Sequence, residues 1–231
     1  MRIQIETLGC KMNYLDSERI GQQLQDRGFF LVDQDADFVV VNTCTVTNSA
    51  HKKSRIKIKH HYQKHQKIII TGCGAKIGAE FWQEIFPQCS ICPSPQEVID
   101  FFQSACPQTS EETQTSSPES RTRKYVDIQN GCDTYCAYCI VPYARGRSQN
   151  RPAQDIIQDI KTLQSQGTKE VVLTGINLAA WGASLTTRPE ESRFAELLQM
   201  ILDQTSIPRI RISSVGAQFL SPRFFEVYQN P

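Results

Sequence analysis

Residues 37–44 read DFVVVNTC: four consecutive apolar residues, three of them β-branched, opened by an acid and closed by Asn42, Thr43 and Cys44. A short apolar run of this kind fits a strand buried on both faces of a parallel sheet. The same design recurs on either side, at Arg2–Thr7 (RIQIET) and Lys67–Thr71 (KIIIT). Between the first two runs, Asp16–Arg27 places Ile20 and Leu24 one turn apart and is followed by Gly28, a helix stop. Strand alternating with helix predicts an α/β fold with an open parallel sheet. Each strand runs almost at once into a cysteine: Cys10, Cys44 and Cys73. Sites in such sheets form at the carboxyl ends of the strands. Three thiols far apart in the chain are therefore expected on one sheet edge.

The whole chain has 231 residues, nine cysteines and a formal net charge of +1. That length can bury a real core and excludes a disulfide-stapled miniprotein. Residues 1–6 (MRIQIE) lack the apolar stretch of a secretory leader. The apolar runs Phe29–Val32 and Phe38–Val41 hold four residues each, far short of the ~20 of a membrane span. A cytoplasmic protein without a membrane partner is expected, and its reduced thiols point to metal binding or catalysis.

Residues 104–124 (SACPQTSEETQTSSPESRTRK) hold almost nothing to bury and read as a solvated linker. The expected division is an amino-terminal sheet domain over 1–103, the linker, and a second domain over 125–231. The second domain opens with a strand at Tyr125–Gln129 and a cysteine-rich loop. A helix follows from Pro152 to Gly167, with Ile156, Ile157, Ile160 and Leu163 on one face. Next come a strand at Glu170–Thr174, a helix at Phe194–Leu202, a strand at Arg209–Ser213 and a helix start at Ser221–Gln229. Three βα repeats open a parallel barrel that needs about eight strands to close, so a partial barrel is expected.

The loop carries Cys132, Cys136 and Cys139. A [4Fe–4S] cluster normally takes four thiolates. Three would leave one iron open, able to chelate a small molecule through an amino and a carboxylate group. A zinc knuckle or a redox Cys-x2-Cys pair is the alternative. No histidine follows His65, which excludes a local Cys₃His zinc site.

The Cys-x3-Cys-x2-Cys spacing resembles that of the radical S-adenosylmethionine enzymes. ETLGCKMNYLDSE, VVVNTCTVTNSAHKKSR, ITGCGAK, IQNGCDTYCAYCIVPYARGRSQNRP, VVLTGIN and RIRISS occur in the order seen in the methylthiotransferases. GCK, NTCTVTN and ARGRS favour the tRNA threonylcarbamoyladenosine branch. The resemblance implies that Cys132, Cys136 and Cys139 hold a [4Fe–4S] cluster whose open iron binds and reductively cleaves S-adenosylmethionine. It implies that Cys10, Cys44 and Cys73 hold a second [4Fe–4S] cluster carrying the sulfur to be transferred. The substrate would be C2 of a modified adenosine, N6-threonylcarbamoyladenosine at position 37, in the tRNA anticodon stem-loop. An electron donor such as flavodoxin or ferredoxin is implied. Gly175, closing the strand in LTGIN, would contact the methionine part of the cofactor; a plain turn glycine is the alternative. Isopentenyladenosine in tRNA, a ribosomal-protein Asp, or a non-catalytic iron–sulfur or RNA-binding remnant are the other readings.

Family members run to nearly twice this length, so a truncated or partial chain is expected. Gly216 stands where a Glu is usual, and Gly74 where an aromatic residue is common. Cys89, Cys92 and Cys106 fall outside the family pattern and read as incidental. Charge is unevenly spread. From Phe38 to Ala79 there is no Asp or Glu but eight basic residues: Lys52, Lys53, Arg55, Lys57, Lys59, Lys64, Lys67 and Lys76. His51, His60, His61, Tyr62 and His65 lie among them. Arg145, Arg147 and Arg151 form a second cluster after the cysteine loop. Basic surface beside a reactive site suits a phosphate backbone; a solvated helix face is the alternative.

Overall fold

The computed structural model describes residues 1–64, 66–105, 122–183 and 192–229. Most of the expected linker, with Cys106, and His65 lie outside the described residues. The chain groups into two compact units, one of residues 1–105 with Tyr138–Ala144, the other of 122–137 with 145–229.

In the first unit β1 (Arg2–Thr7), β2 (Phe30–Leu31), β3 (Phe38–Thr43), β4 (Lys67–Thr71) and β5 (Ser90–Ile91) form one sheet in the order β2-β1-β3-β4-β5, every pair parallel. The helices are α1 (Lys11–Gln25), α2 (Asn48–Gln63), α3 (Gly72–Ile77), α4 (Ala79–Ile85) and α5 (Pro95–Ala105). Strand side chains alternate between faces. Phe38 and Val40 accordingly pack with Ile20, Leu24, Ile99 and Phe102 of α1 and α5. Val39 and Val41 pack on the other face, with Ile58 of α2 and Trp82 of α4. Both faces are covered, which is why the strand reads as an unbroken apolar run.

The second unit is a parallel three-stranded sheet, β10-β9-β6, built from β6 (Arg123–Asp127), β9 (Glu170–Thr174) and β10 (Arg209–Ile212). A two-residue ladder, β7 (Gln129–Asn130) with β8 (Gln149–Asn150), follows β6. Helices α7 (Ala153–Ser165), α8 (Phe194–Gln204) and α9 (Pro222–Tyr228) supply Ile156, Ile160, Leu197, Ile201 and Phe224 to a core with Val171 and Leu173. The short helix α6 (Val141–Arg145) ends the cysteine loop. The architecture is the expected α/β one: an open parallel sheet, then a partial βα barrel.

The linker expectation was too wide at both ends. α5 runs on to Ala105, and β6 begins at Arg123, whose guanidinium Nε meets Glu170 at 2.6 Å. Among the described residues no helix is long and apolar enough to cross a membrane.

Candidate functional site

The carboxyl ends of β1, β3 and β4 each deliver one thiol. Cys10 caps the start of α1, Cys44 follows β3, and Cys73 sits in the first turn of α3. Asn13, one turn into α1 and fully buried, ties them together. Its Oδ1 accepts from Cys73 Sγ at 3.8 Å and from Cys10 Sγ at 4.0 Å. Its Nδ2 donates to the carbonyls of Leu8 (2.8 Å) and Thr43 (2.9 Å), which fixes which way the amide points. Cys44 lies over Gly9, where φ is +106° and a Cβ would stand 2.7 Å from the Cys44 sulfur. Glycine is needed twice over at that position, for its backbone and for its bareness. Cys44 and Cys73 are buried while Cys10 is exposed, so the trio opens to solvent at Cys10.

A polar scaffold holds this edge. Asn42 Nδ2 donates to the Asn13 carbonyl (2.8 Å) and Ser17 Oγ (3.0 Å). Thr43 Oγ1 donates to the Thr71 carbonyl (2.6 Å) and accepts from the Ala75 amide (3.1 Å). Ser54 Oγ of α2 accepts from the Cys44 amide at 3.3 Å. Gly74 is explained here: a Cβ would stand 2.6 Å from Thr43 Oγ1, so an aromatic residue needs a different junction. Trp82 Nε1 donates to the Gly74 carbonyl at 2.9 Å.

In the second unit Gly131 (φ +71°) starts the cysteine loop, and a Cβ there would collide with the Arg147 carbonyl. The Cys132 amide donates to the Gly146 carbonyl (3.1 Å), and the Thr134 amide donates to Cys132 Sγ (3.5 Å). Cys132, Cys136 and Cys139 are each partly exposed. Gln129, with no exposed surface, is the residue that sequence reasoning missed. Its Oε1 accepts from the amides of Ile176 (3.1 Å) and Asn177 (2.9 Å), and its Nε2 donates to the Gly131 carbonyl (2.6 Å) and Ser148 Oγ (2.9 Å). It joins the carboxyl ends of β6 and β9. Gly175 lies against it, with room for no Cβ: one would stand 2.7 Å from the Gln129 carbonyl. At Gly216 a Cβ would meet only the flexible Gln218 amide, at 2.8 Å.

Cys89 and Cys92 pack on opposite faces of the first sheet, Cys89 beside Trp82 and Phe86, Cys92 beside Ile69 and Val98. They form no redox pair. Burial pushes both thiols up to about 11, with Glu97 adding to the rise at Cys92. The second basic cluster is largely committed. Arg147 pairs with Asp133, and Arg151 bridges Asp127 (3.1 Å) and Asp159 (2.7 Å).

Among the described residues no three His, Cys, Asp or Glu side chains stand close enough to share a single metal ion. A four-iron cluster is a larger body with its thiolates at separate corners, so donor chemistry and access decide the fit. Both triplets offer sulfur alone, neither has a disulfide, and each has a solvent-facing member. The residues present fit such a group.

Comparison with known proteins bears on the family. The profile described as "Uncharacterized protein family UPF0004" matches residues 2–92, and that of the Radical SAM superfamily matches residues 126–229. A threonylcarbamoyladenosine tRNA methylthiotransferase of Rickettsia prowazekii is 31% identical over 98% of this chain and 55% of its own. A putative methylthiotransferase of Helicobacter pylori is 30% identical over 99% of this chain and 56% of its own. This chain belongs to the radical S-adenosylmethionine methylthiotransferase family. A family member named tRNA-2-methylthio-N(6)-dimethylallyladenosine synthase, from Lachnoclostridium phytofermentans, is 32% identical over the whole of this chain. This methylthiotransferase chain spans about half the length of the curated relatives it matches. Its fold is also that of a radical S-adenosylmethionine methyltransferase from Kitasatospora setae, with a TM-score of 0.61 at 14% identity over 98% of this chain and 58% of that one.

Proposed function

We propose that this protein belongs to an enzyme that replaces the C2 hydrogen of N6-threonylcarbamoyladenosine, at position 37 beside the tRNA anticodon, with a methylthio group. The observation that carries the reading is two separate triplets of reduced cysteines, each one thiolate short of a full [4Fe–4S] ligand set. Cys132, Cys136 and Cys139 would hold the cluster that binds S-adenosylmethionine, and Cys10, Cys44 and Cys73 the cluster that presents sulfur. When bound, these groups supply hydrogen abstraction, the sulfur and the methyl group.

The chain's own residues set up that chemistry. Asn13 Oδ1 accepts hydrogen bonds from the Cys10 and Cys73 thiols, which would have to give up those protons to ligate iron. The Thr134 amide donates to the sulfur of Cys132 and helps to fix where that sulfur points. Gln129 fixes the turn after β9 against the start of the cysteine loop, and Gly175 gives it the room. GCK, NTCTVTN and ARGRS support the threonylcarbamoyl substrate. Relatives named for the dimethylallyl substrate match equally well, and they support the second reading, the same chemistry on isopentenyladenosine.

The test is anaerobic incubation of the iron-loaded protein with S-adenosylmethionine, dithionite and tRNA from a strain lacking the methylthio group. Nucleosides are then read by mass spectrometry. A methylthio gain on threonylcarbamoyladenosine supports the proposal. A gain on isopentenyladenosine alone selects the second reading. Modification of ribosomal peptides instead of tRNA overturns both.

A further inference from the structure

Helix α2 is sixteen residues long and contains no acid. Only Ser54, Ile58 and His61 are buried, so one narrow stripe holds the helix to the sheet. At 100° per residue the opposite face carries Lys52, Lys53, Ile56, Lys59, His60 and Gln63, with Lys64 as the carboxyl cap. All four of these lysines are exposed, and none is in an ion pair among the described residues. The cations nearer the sheet are engaged: Lys57 pairs with Glu6 at 3.1 Å, and Arg55 lies 5.6 Å over the Phe81 ring. Ile56, 58% exposed, sits in the middle of the lysines.

An ordinary solvated helix face mixes both signs, because like charges at i and i+4 destabilise a helix. Here Lys53–Lys57 and Arg55–Lys59 are such pairs, with no acid on the helix to offset them. Lys64 first, then desolvation, His61 and Lys57 hold His60 below its usual value, with Glu6 acting the other way. A polyanion would relieve that repulsion. The helix also borders the thiols, since Ser54 Oγ accepts from the Cys44 amide.

We propose that the face of α2 formed by Lys52, Lys53, Lys59 and Lys64 around Ile56 is where this protein holds the phosphate backbone of its RNA substrate. The inference rests on the tRNA reading above. Sugar–phosphate seated there would come nearest the Cys44 end of the sheet at Lys52 and Lys53 and run away from it along the helix toward Lys64.

The test is fluorescence anisotropy with labelled, unmodified tRNA across a salt series. It uses the full chain and the quadruple variant K52A/K53A/K59A/K64A, with circular dichroism to show that the variant is folded. Each phosphate contact adds about 0.7–0.9 to the slope of log K against log salt, so four lost lysines should lower that slope by about 3 and weaken binding roughly tenfold or more at low salt. The Lys→Arg quadruple variant should keep the slope. Wild-type slope and affinity in a folded alanine variant would overturn this inference and leave the tRNA reading standing. Absence of tRNA binding by the wild-type chain would overturn both. Loss of binding only to anionic phospholipid vesicles would also overturn the inference, assigning the face to a membrane surface.

Discussion

Replacing Asn13 by alanine should uncouple the thiol edge while leaving the sheet core intact. The Asn13 side chain is fully buried and donates to two carbonyls, Leu8 at 2.8 Å and Thr43 at 2.9 Å. Its removal deletes those two hydrogen bonds and the two weaker contacts from the Cys10 and Cys73 thiols, and leaves both carbonyls without that donor. Each lost bond is worth ~1 kcal/mol, and an unsatisfied buried carbonyl adds to that, so N13A should destabilise the first unit by about 2–3 kcal/mol. For a unit of about 100 residues that corresponds to a fall in Tm of roughly 10–20 °C. Trp82, a fully buried residue of α4 packed with Ile58 of α2, reports this unit, and a Trp181→Phe background removes the tryptophan of the other. Urea unfolding of W181F and N13A/W181F, followed by fluorescence, gives the difference directly. A change below about 0.5 kcal/mol would refute the role given to Asn13, since surface substitutions alone fall in that range.

Gln129→Leu should cost about 2–4 kcal/mol in the second unit, because it strands the Ile176 and Asn177 amides and the Gly131 carbonyl; thermal unfolding followed at Trp181 checks it. Gly131→Ala forces a Cβ against the Arg147 carbonyl at a positive φ and should lower iron loading of the Cys132–Cys139 loop, with the Cys10, Cys44 and Cys73 trio unaffected. Cys89 and Cys92 have thiols raised to about 11 by burial, so the native state keeps their protons where the unfolded chain releases them. Their stabilising effect is full below the ordinary thiol value near 9 and is lost as pH rises through 11; a pH series of Tm should show a smaller alkaline decline in the C89A/C92A variant.

The first sheet was legible because its strands are buried on both sides, so DFVVV and KIIIT stand out without any alternation to interpret. The thiol edge was legible for the same reason, each cysteine following a strand end. β2 and β5 were not, being two-residue edge strands whose hydrogen bonds are set by neighbours distant in sequence. Asn13 and Gln129 carried no local signal. A buried amide declares itself only through the carbonyls and amides it meets, and these come from other elements. Arg147 and Arg151 looked like free cations for the same reason, their carboxylate partners being fixed by the fold. Among the described residues no acid pairs with Lys52, Lys53, Lys59 or Lys64 of α2, although Lys57 of the same helix meets Glu6.

The proposed function requires Cys10, Cys44, Cys73, Cys132, Cys136 and Cys139 to hold two iron–sulfur clusters. Iron and sulfide content, with electron paramagnetic resonance of the reduced protein, tests it after anaerobic reconstitution of three proteins: the wild type, C10A/C44A/C73A and C132A/C136A/C139A. About eight irons are expected per wild-type chain and about four in each triple variant, with distinct spectra. About four irons in the wild type, or an iron content that either triple substitution leaves unchanged, would contradict it.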